Sequence, residues 1–356
     1  MDFNAINHIP ILGLIPQLIG YVIELLPSIA PIILRAATPI ALAALCGVMC
    51  ERSGVVNIGI EGIMLATAFV GWVAGVALGP MLGGQPTAIF GLTPALLVAL
   101  GAALLTGMLL AFVLAWLAIS VRADQIIAGT IINIAAFGMT GYLNTLLSKS
   151  SPIGAGSFQV FHAPKELVDL PVVGWLFAMF LNQGPITMSV LIIVIVMQVL
   201  LFRSRWGLRT RAVGEHPKAA ETVGISVIAL RYRNVILSGL LAGLAGASLS
   251  MEATNSFQDG MTAGKGFIGL AAMIVGRWTP VGAFGAALLF ASAQAVGRSI
   301  GFAPPAGDLG QLLTAVPPQV YDALPYLVTI IVLAGVVGRS VPPAADGQPY
   351  EREAVS

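Results

Sequence analysis

Few side chains in this sequence have the type and spacing for chemistry. His8, His162 and His216 are too far apart to suggest a metal site. Cys46 and Cys50 stand four apart in an apolar run, the pattern of small buried helix residues rather than a disulfide or metal pair. GMTAGKG at residues 260–266 has the look of a phosphate loop, but it is one residue short, lacks Ser or Thr after Lys265 and follows no strand. No GxSxG elbow occurs. No catalytic residue, metal ligand or cofactor is therefore assigned to this chain.

Glu61 is the acid that needs an explanation, because it lies between Ile60 and Met64 in apolar sequence. An ionisable group there is expensive in lipid and faces a bundle interior, a cavity or a partner. Two readings are open: a fixed pair with Arg52 or Arg277, or a polar lining shared with Asn57, which stands one helical turn earlier. Arg277-Trp278 joins a cation to an aromatic plate, as an interfacial anchor or as part of a path. Asn133, Asn144 and Phe267 are further candidates for a path by residue type alone.

The elements that must position these groups are set by composition. Hydrophobic residues make up 57% of the 356 and charged residues 9%, with mean hydropathy +0.93. Soluble domains carry about 25% charged residues, so the sequence predicts an all-α integral membrane protein surrounded by lipid. A single bundle of about 8–10 spans uses the whole length. A net charge of +1, with the cations gathered at one face, argues against a nucleic-acid partner. No basic n-region or A-x-A-like site marks a cleavable signal peptide.

Along the chain, residues 9–26 are apolar but interrupted by Pro16, Gln17 and Glu24, and read as a span or an interfacial helix. Residues 1–27 are accordingly set apart from a membrane domain over 28–338, in which 28–50 form a clearer span. ERSGVVNIGIEG (51–62) predicts a broken helix, since its glycines interleave with Asn57 and Glu61. Further spans are expected near 93–120, 125–147, 186–202, 235–251, 280–296 and 326–337. Residues 172–181 are too short to cross, and 266–276 predict a re-entrant half-helix. Gly239, Gly243 and Gly246 form a stripe that lets helices approach closely. The tail, 339–356, is expected to be disordered.

The orienting stretch is residues 203–233. It holds Arg203, Arg205, Arg209, Arg211, Lys218, Arg231 and Arg233, seven of the chain's 17 basic residues, against only Glu215 and Glu221. Basic loops beside spans stay cytoplasmic, and both termini are expected on that side. Its middle predicts a short helix: Pro217 suits a first turn, Ala219, Ala220 and Glu221 are good formers, and Gly224 terminates it.

ERSGVVNIGIEGIML, RAVGEHPKAAETVGIS, LSGLLAGLAGA and GKGFIGLAAMIVGRWTPVGA, in that order, resemble the permease subunits of bacterial ABC importers for nucleosides and simple sugars. The similarity runs over roughly residues 28–338, and the wider family includes ribose-type and branched-chain amino-acid permeases. The resemblance implies a multi-pass subunit of the bacterial plasma membrane that is no enzyme itself. ATP and Mg would sit on separate cytosolic ATPase subunits. A second permease, a non-identical paralogue, and an extracytoplasmic substrate-binding protein complete the implied assembly. Residues 214–225 would be the coupling helix, with Gly214, Glu215, Pro217, Lys218, Ala219, Ala220, Glu221, Gly224 and Ile225 meeting the ATPase. Family members often carry E-A-A-x-x-x-G there; this chain has Lys218-Ala219-Ala220 and Gly224, without the glutamate. Asn57, Glu61, Asn133, Asn144, Phe267, Arg277 and Trp278 would belong to the path. The alternatives are a branched-chain amino-acid permease, which the ERSGVVNIGIEG form argues against, and an ATP-independent secondary transporter. The latter predicts inverted repeats and coupling acids.

Overall fold

The computed structural model describes residues 11–82, 86–87, 89–148, 157–168, 170, 173–302, 304–305, 307–331 and 340–351. Every regular element among them is helical. The long helices are α1 (Ile11–Glu51), α2 (Ile60–Leu82), α3 (Pro94–Ala115) and α4 (Gln125–Ser148). Short α5 (Lys165–Val168) and α6 (Gly174–Leu181) precede α7 (Pro185–Arg203). Then come α8 (Arg205–Glu215), α9 (Pro217–Thr222), α10 (Val227–Ala247), α11 (Lys265–Val275) and α12 (Pro280–Phe302). Short α13 (Asp308–Ala315), α14 (Pro318–Asp322) and α15 (Leu324–Ile331) follow. Wider π-helical turns extend α3 to Ser120 and α10 to Ala253.

Seven of these helices are long and apolar enough to cross a membrane. With half-length α11 they form the expected polytopic bundle with a broken helix. The expected span over 326–337 lies partly outside the described residues.

Helix α1 is the central element, packed against α12, α11, α10, α6 and α7. It also corrects the sequence reading at the start of the chain. Residues 11–26 do not form an element of their own: α1 runs 41 residues without interruption, with Pro27, Pro31 and Pro39 inside it. Side chains from the bundle and from the helix itself bond carbonyls of this proline-containing stretch. Gln183 Nε2 donates to Pro31 O at 2.9 Å, and Thr38 Oγ1 donates to Leu34 O at 2.9 Å.

A helix of this length is about 60 Å long, at 1.5 Å per residue. Its Glu51 end lies beside the basic loop, where a Cβ on Gly214 would meet Arg52 O. Its other half packs Ile29 and Ile33 against Ala291 and Ala295 of α12. The start of α1 and the basic loop therefore stand at opposite ends of the bundle, whereas the C-terminal segment returns to the basic loop.

The small-residue stripe does what its composition implies. Gly239 of α10 and Gly107 of α3 are in mutual backbone contact: a Cβ on Gly107 would sit 2.2 Å from Gly239 O. Residues 340–351 are the second correction, because this tail is ordered and packed, with Ala345 and Tyr350 buried.

Candidate functional site

The break between α1 and α2 forms as its glycines foretell. Residues 52–59 leave the helix, and Gly54 takes a left-handed φ of 84°. Asn57 thus sits in the irregular link and not one turn before Glu61 on a shared helical face. It is fully buried, with Nδ2 3.8 Å from both Cys46 and Cys50 Sγ.

Glu61 stands in the first turn of α2. Neither Arg52 nor Arg277 pairs with it. Its Oε1 accepts the amide of Gly264 at 2.8 Å and its Oε2 that of Gly266 at 2.6 Å. These are orphan donors at the start of α11, so the carboxylate caps that half-helix across the fold. Asn133 fastens α4 to the same place, accepting from Gly62 N at 2.7 Å and donating to Ile58 O at 3.0 Å.

The far end of α11 is held by the end of α1. Arg277 and Trp278 both adopt left-handed backbone, with φ of 53° and 51°. Such conformations cost about 1–3 kcal/mol each and persist where surroundings over-determine them. Here Arg52 Nε donates to Trp278 O at 2.8 Å, Arg52 Nη2 donates to Arg277 O at 3.2 Å, and the Trp278 indole N–H donates to Glu51 Oε2 at 2.5 Å. Trp278 is buried in the subunit, so it serves as an anchor and is not open for stacking. Helix α11, about 16 Å long, therefore bridges the broken pair from Glu61 to Glu51.

Two members of the candidate path, Phe267 and Asn144, lie around the Glu61 end of that bridge. Phe267 follows the capped Gly266 and is 47% exposed. Phe137 of α4 is exposed and lies against Gly260, and Asn144 Nδ2 donates to Asp259 Oδ1 at 2.9 Å. Arg277 is exposed, but at the opposite end of α11.

The basic loop divides into two helices. Helix α8 is tied to α10 by Trp206 Nε1, which donates to Asn234 Oδ1 at 3.2 Å, and by Asn234 Nδ2, which donates to Thr210 Oγ1 at 3.1 Å. Helix α9 begins at Pro217 and stops before Gly224, whose φ of 82° ends it as expected. Ala220 faces inward, packed with Val213, Val227 and Tyr350. Lys218, Ala219 and Val223 are exposed, Val223 by 75%. The outward face is therefore not the one that includes Ala220. Glu215 and Glu221 are engaged by the chain itself, accepting from Ala344 N at 3.1 Å and from the Tyr350 hydroxyl. Ile225 is half-buried. Between α9 and residues 344–351 lies an open groove of about 900 Å³, lined in part by Pro217, Lys218, Ala219 and Tyr350.

Two anchors escaped the sequence reading. Arg231 looked like one more loop cation but is only 2% exposed. Its signal was present: Val227, Arg231, Asn234, Val235 and Ser238 recur at helical spacing, and all are buried. Glu252, at the end of an apolar run, caps α7 through Ile186 N at 2.8 Å.

Comparison with known proteins agrees with this architecture. Residues 29–333 match the family described as branched-chain amino acid transport system / permease component. The guanosine ABC transporter permease protein NupQ of Bacillus subtilis is 36% identical over 340 residues, 92% of this chain and 98% of its own. The nucleoside ABC transporter permease protein NupC of Lactococcus lactis is 34% identical over 329 residues, with the same coverage of 92% and 98%. The B. subtilis guanosine permease protein NupP is 30% identical over 262 residues, 72% of this chain and 70% of its own. No solved structure matches the chain. A family match over nearly the whole membrane domain, on a bundle with a broken helix and a basic loop, makes this chain a member of that ABC transporter permease family.

Proposed function

We propose that this chain forms the translocation path of an ABC importer for nucleosides, in the bacterial plasma membrane. ATP and Mg are handled by cytosolic ATPase subunits on separate chains. A second, non-identical permease completes the path, and an extracytoplasmic binding protein delivers substrate. The observation that carries the coupling part is α9: a short helix in the most basic loop, backed by buried Ala220 and presenting Ala219 and Val223 to solvent. Exposed apolar side chains rimmed by charge mark a docking surface. The names of the two full-length relatives support a nucleoside cargo. A neutral, hydroxylated ligand with a planar base suits aromatic faces and amides, and Phe137, Phe267 and Asn144 are of that type. Glu61 belongs to this path as the cap that shapes α11, not as a free charge.

The test is uptake of labelled guanosine by cells with and without the gene, in competition with other nucleosides and with leucine. Loss of uptake on deletion, and competition by nucleosides alone, support the reading. Competition by leucine, or unchanged uptake after deletion, overturns it.

A further inference from the structure

The coupling reading leaves open how a movement of α9 reaches the path. Residues 340–351 lie across the elements that would have to move together. Ser340 Oγ donates to Ile274 O at 2.8 Å, in the last turn of α11. Ala345 N donates to Gly214 O at 2.9 Å at the end of α8, and Ala344 N donates to Glu215. Tyr350 packs on Ala220 and its hydroxyl donates to Glu221, both in α9. On the other side, Gly54 in the break lies against Ala345 O, where a Cβ would sit 3.0 Å away. Arg231 joins the two: Nε donates to Ser53 O at 3.1 Å, and Nη1 donates to Gln348 O at 3.0 Å. A buried guanidinium holds its position because losing either carbonyl strands a desolvated cation. The salt bridge of Arg122 with Glu351 is 2.7 Å long but exposed, and contributes little.

We propose that residues 340–351 are a tie that makes α9, the break between α1 and α2, and the end of α11 move as one body, with Arg231 as its positioning residue. This rests on α9 being the ATPase-coupling helix. Chains of packed side chains and hydrogen bonds on rigid elements are one physical means of coupling distant sites. The tie supplies the network from hydrogen bonds that a mere cover would not need.

The experiment uses the complete transporter, this permease with its ATPase, second permease and binding protein, reconstituted in vesicles. A stop codon at Ser340 removes the tie. The expected result is normal co-purification of the ATPase, retained ATP hydrolysis, and a ratio of nucleoside uptake to hydrolysis that falls about fivefold or more, the lower end of ordinary coupling strengths. A wild-type ratio makes the segment a passive cover and overturns the proposal. Loss of ATPase co-purification makes it a docking element and also overturns it. If the shortened chain does not accumulate, Tyr350→Phe and Ser340→Ala each remove one tail bond. Both should lower the ratio, and a wild-type ratio in both overturns the tie. Ala219→Trp separates this from the parent reading. If it leaves ATPase binding and uptake intact, α9 is not the coupling helix. If it uncouples while the tail variants do not, the tie alone fails.

Discussion

Glu61 holds the amide of Gly266 at 2.6 Å, and through it the start of α11, across more than two hundred residues of sequence. Glu61→Gln keeps one acceptor but turns an N–H donor toward the other amide. A buried donor left unsatisfied costs about 1–3 kcal/mol. The purified permease should therefore unfold at a lower temperature than wild type, while Glu61→Asp, which keeps the charge, should lose less. Equal melting of the glutamine variant and wild type would mean that the cap does not stabilise the half-helix.

The single long α1 sets Gln17 and the basic loop at opposite ends of the bundle. In a background with Cys46 and Cys50 replaced, Gln17→Cys should react with an impermeant thiol reagent on intact cells. Leu208→Cys and Val341→Cys, both well exposed, should react only after the membrane is opened. Labelling of all three from one side would contradict the topology.

Two neighbouring alanines should behave differently. Ala219→Trp adds bulk on the outer face of α9 and should leave folding intact while removing ATPase association. Ala220→Trp drives an indole among Val213, Val227 and Tyr350. Over-packing of this kind costs about 1–3 kcal/mol, so its first effect should be on thermal stability and on protection of the C-terminal segment. Co-purification and melting curves distinguish the two, and identical behaviour would contradict the assignment of faces.

Asp346 gives docking of the C-terminal segment a pH dependence. Burial raises its carboxyl to about 6, against the opposing pull of hydrogen bonds from Glu51 and Gly347 N and of the Arg231 charge. A raised carboxyl means that the docked form binds the proton more tightly than the free one. Docking is thus most favourable at low pH and weakens as pH rises from the ordinary carboxylate value through about 6. Hydrogen exchange of residues 340–351 should be slower at pH 5 than at pH 7.5, beyond the intrinsic rate change. Asp346→Asn should remove the difference; if it persists unchanged in that variant, Asp346 is not its source.

Much of this was legible in the sequence. The break at residues 52–59 and the short α11 could be read because glycine content and segment length are local properties. The same holds for α9, where Pro217 and Gly224 mark the two ends. The start of helix α1 was misread because Pro16, Gln17 and Glu24 look like a local break in apolar sequence, yet the helix runs through them. The partners of Glu61 were invisible because they are backbone amides, which no residue type announces. The ordered tail was missed for a related reason: its polar, proline-rich composition resembles disorder, yet buried Arg231 and Tyr350 hold it to the loop. The inward turn of Ala220 escaped notice because six residues of helix are too few to show a face.

The central claim is that ATP hydrolysed on another chain drives nucleoside movement through this one. The most direct measurement is uptake of labelled guanosine into vesicles carrying the purified permease pair and its ATPase, with binding protein on the side away from the nucleotide. Uptake should need ATP, should stop when the ATPase carries an inactive site, and should fail with Ala219→Trp in this chain. Accumulation without ATP, or an undiminished rate in both variants, would contradict the account.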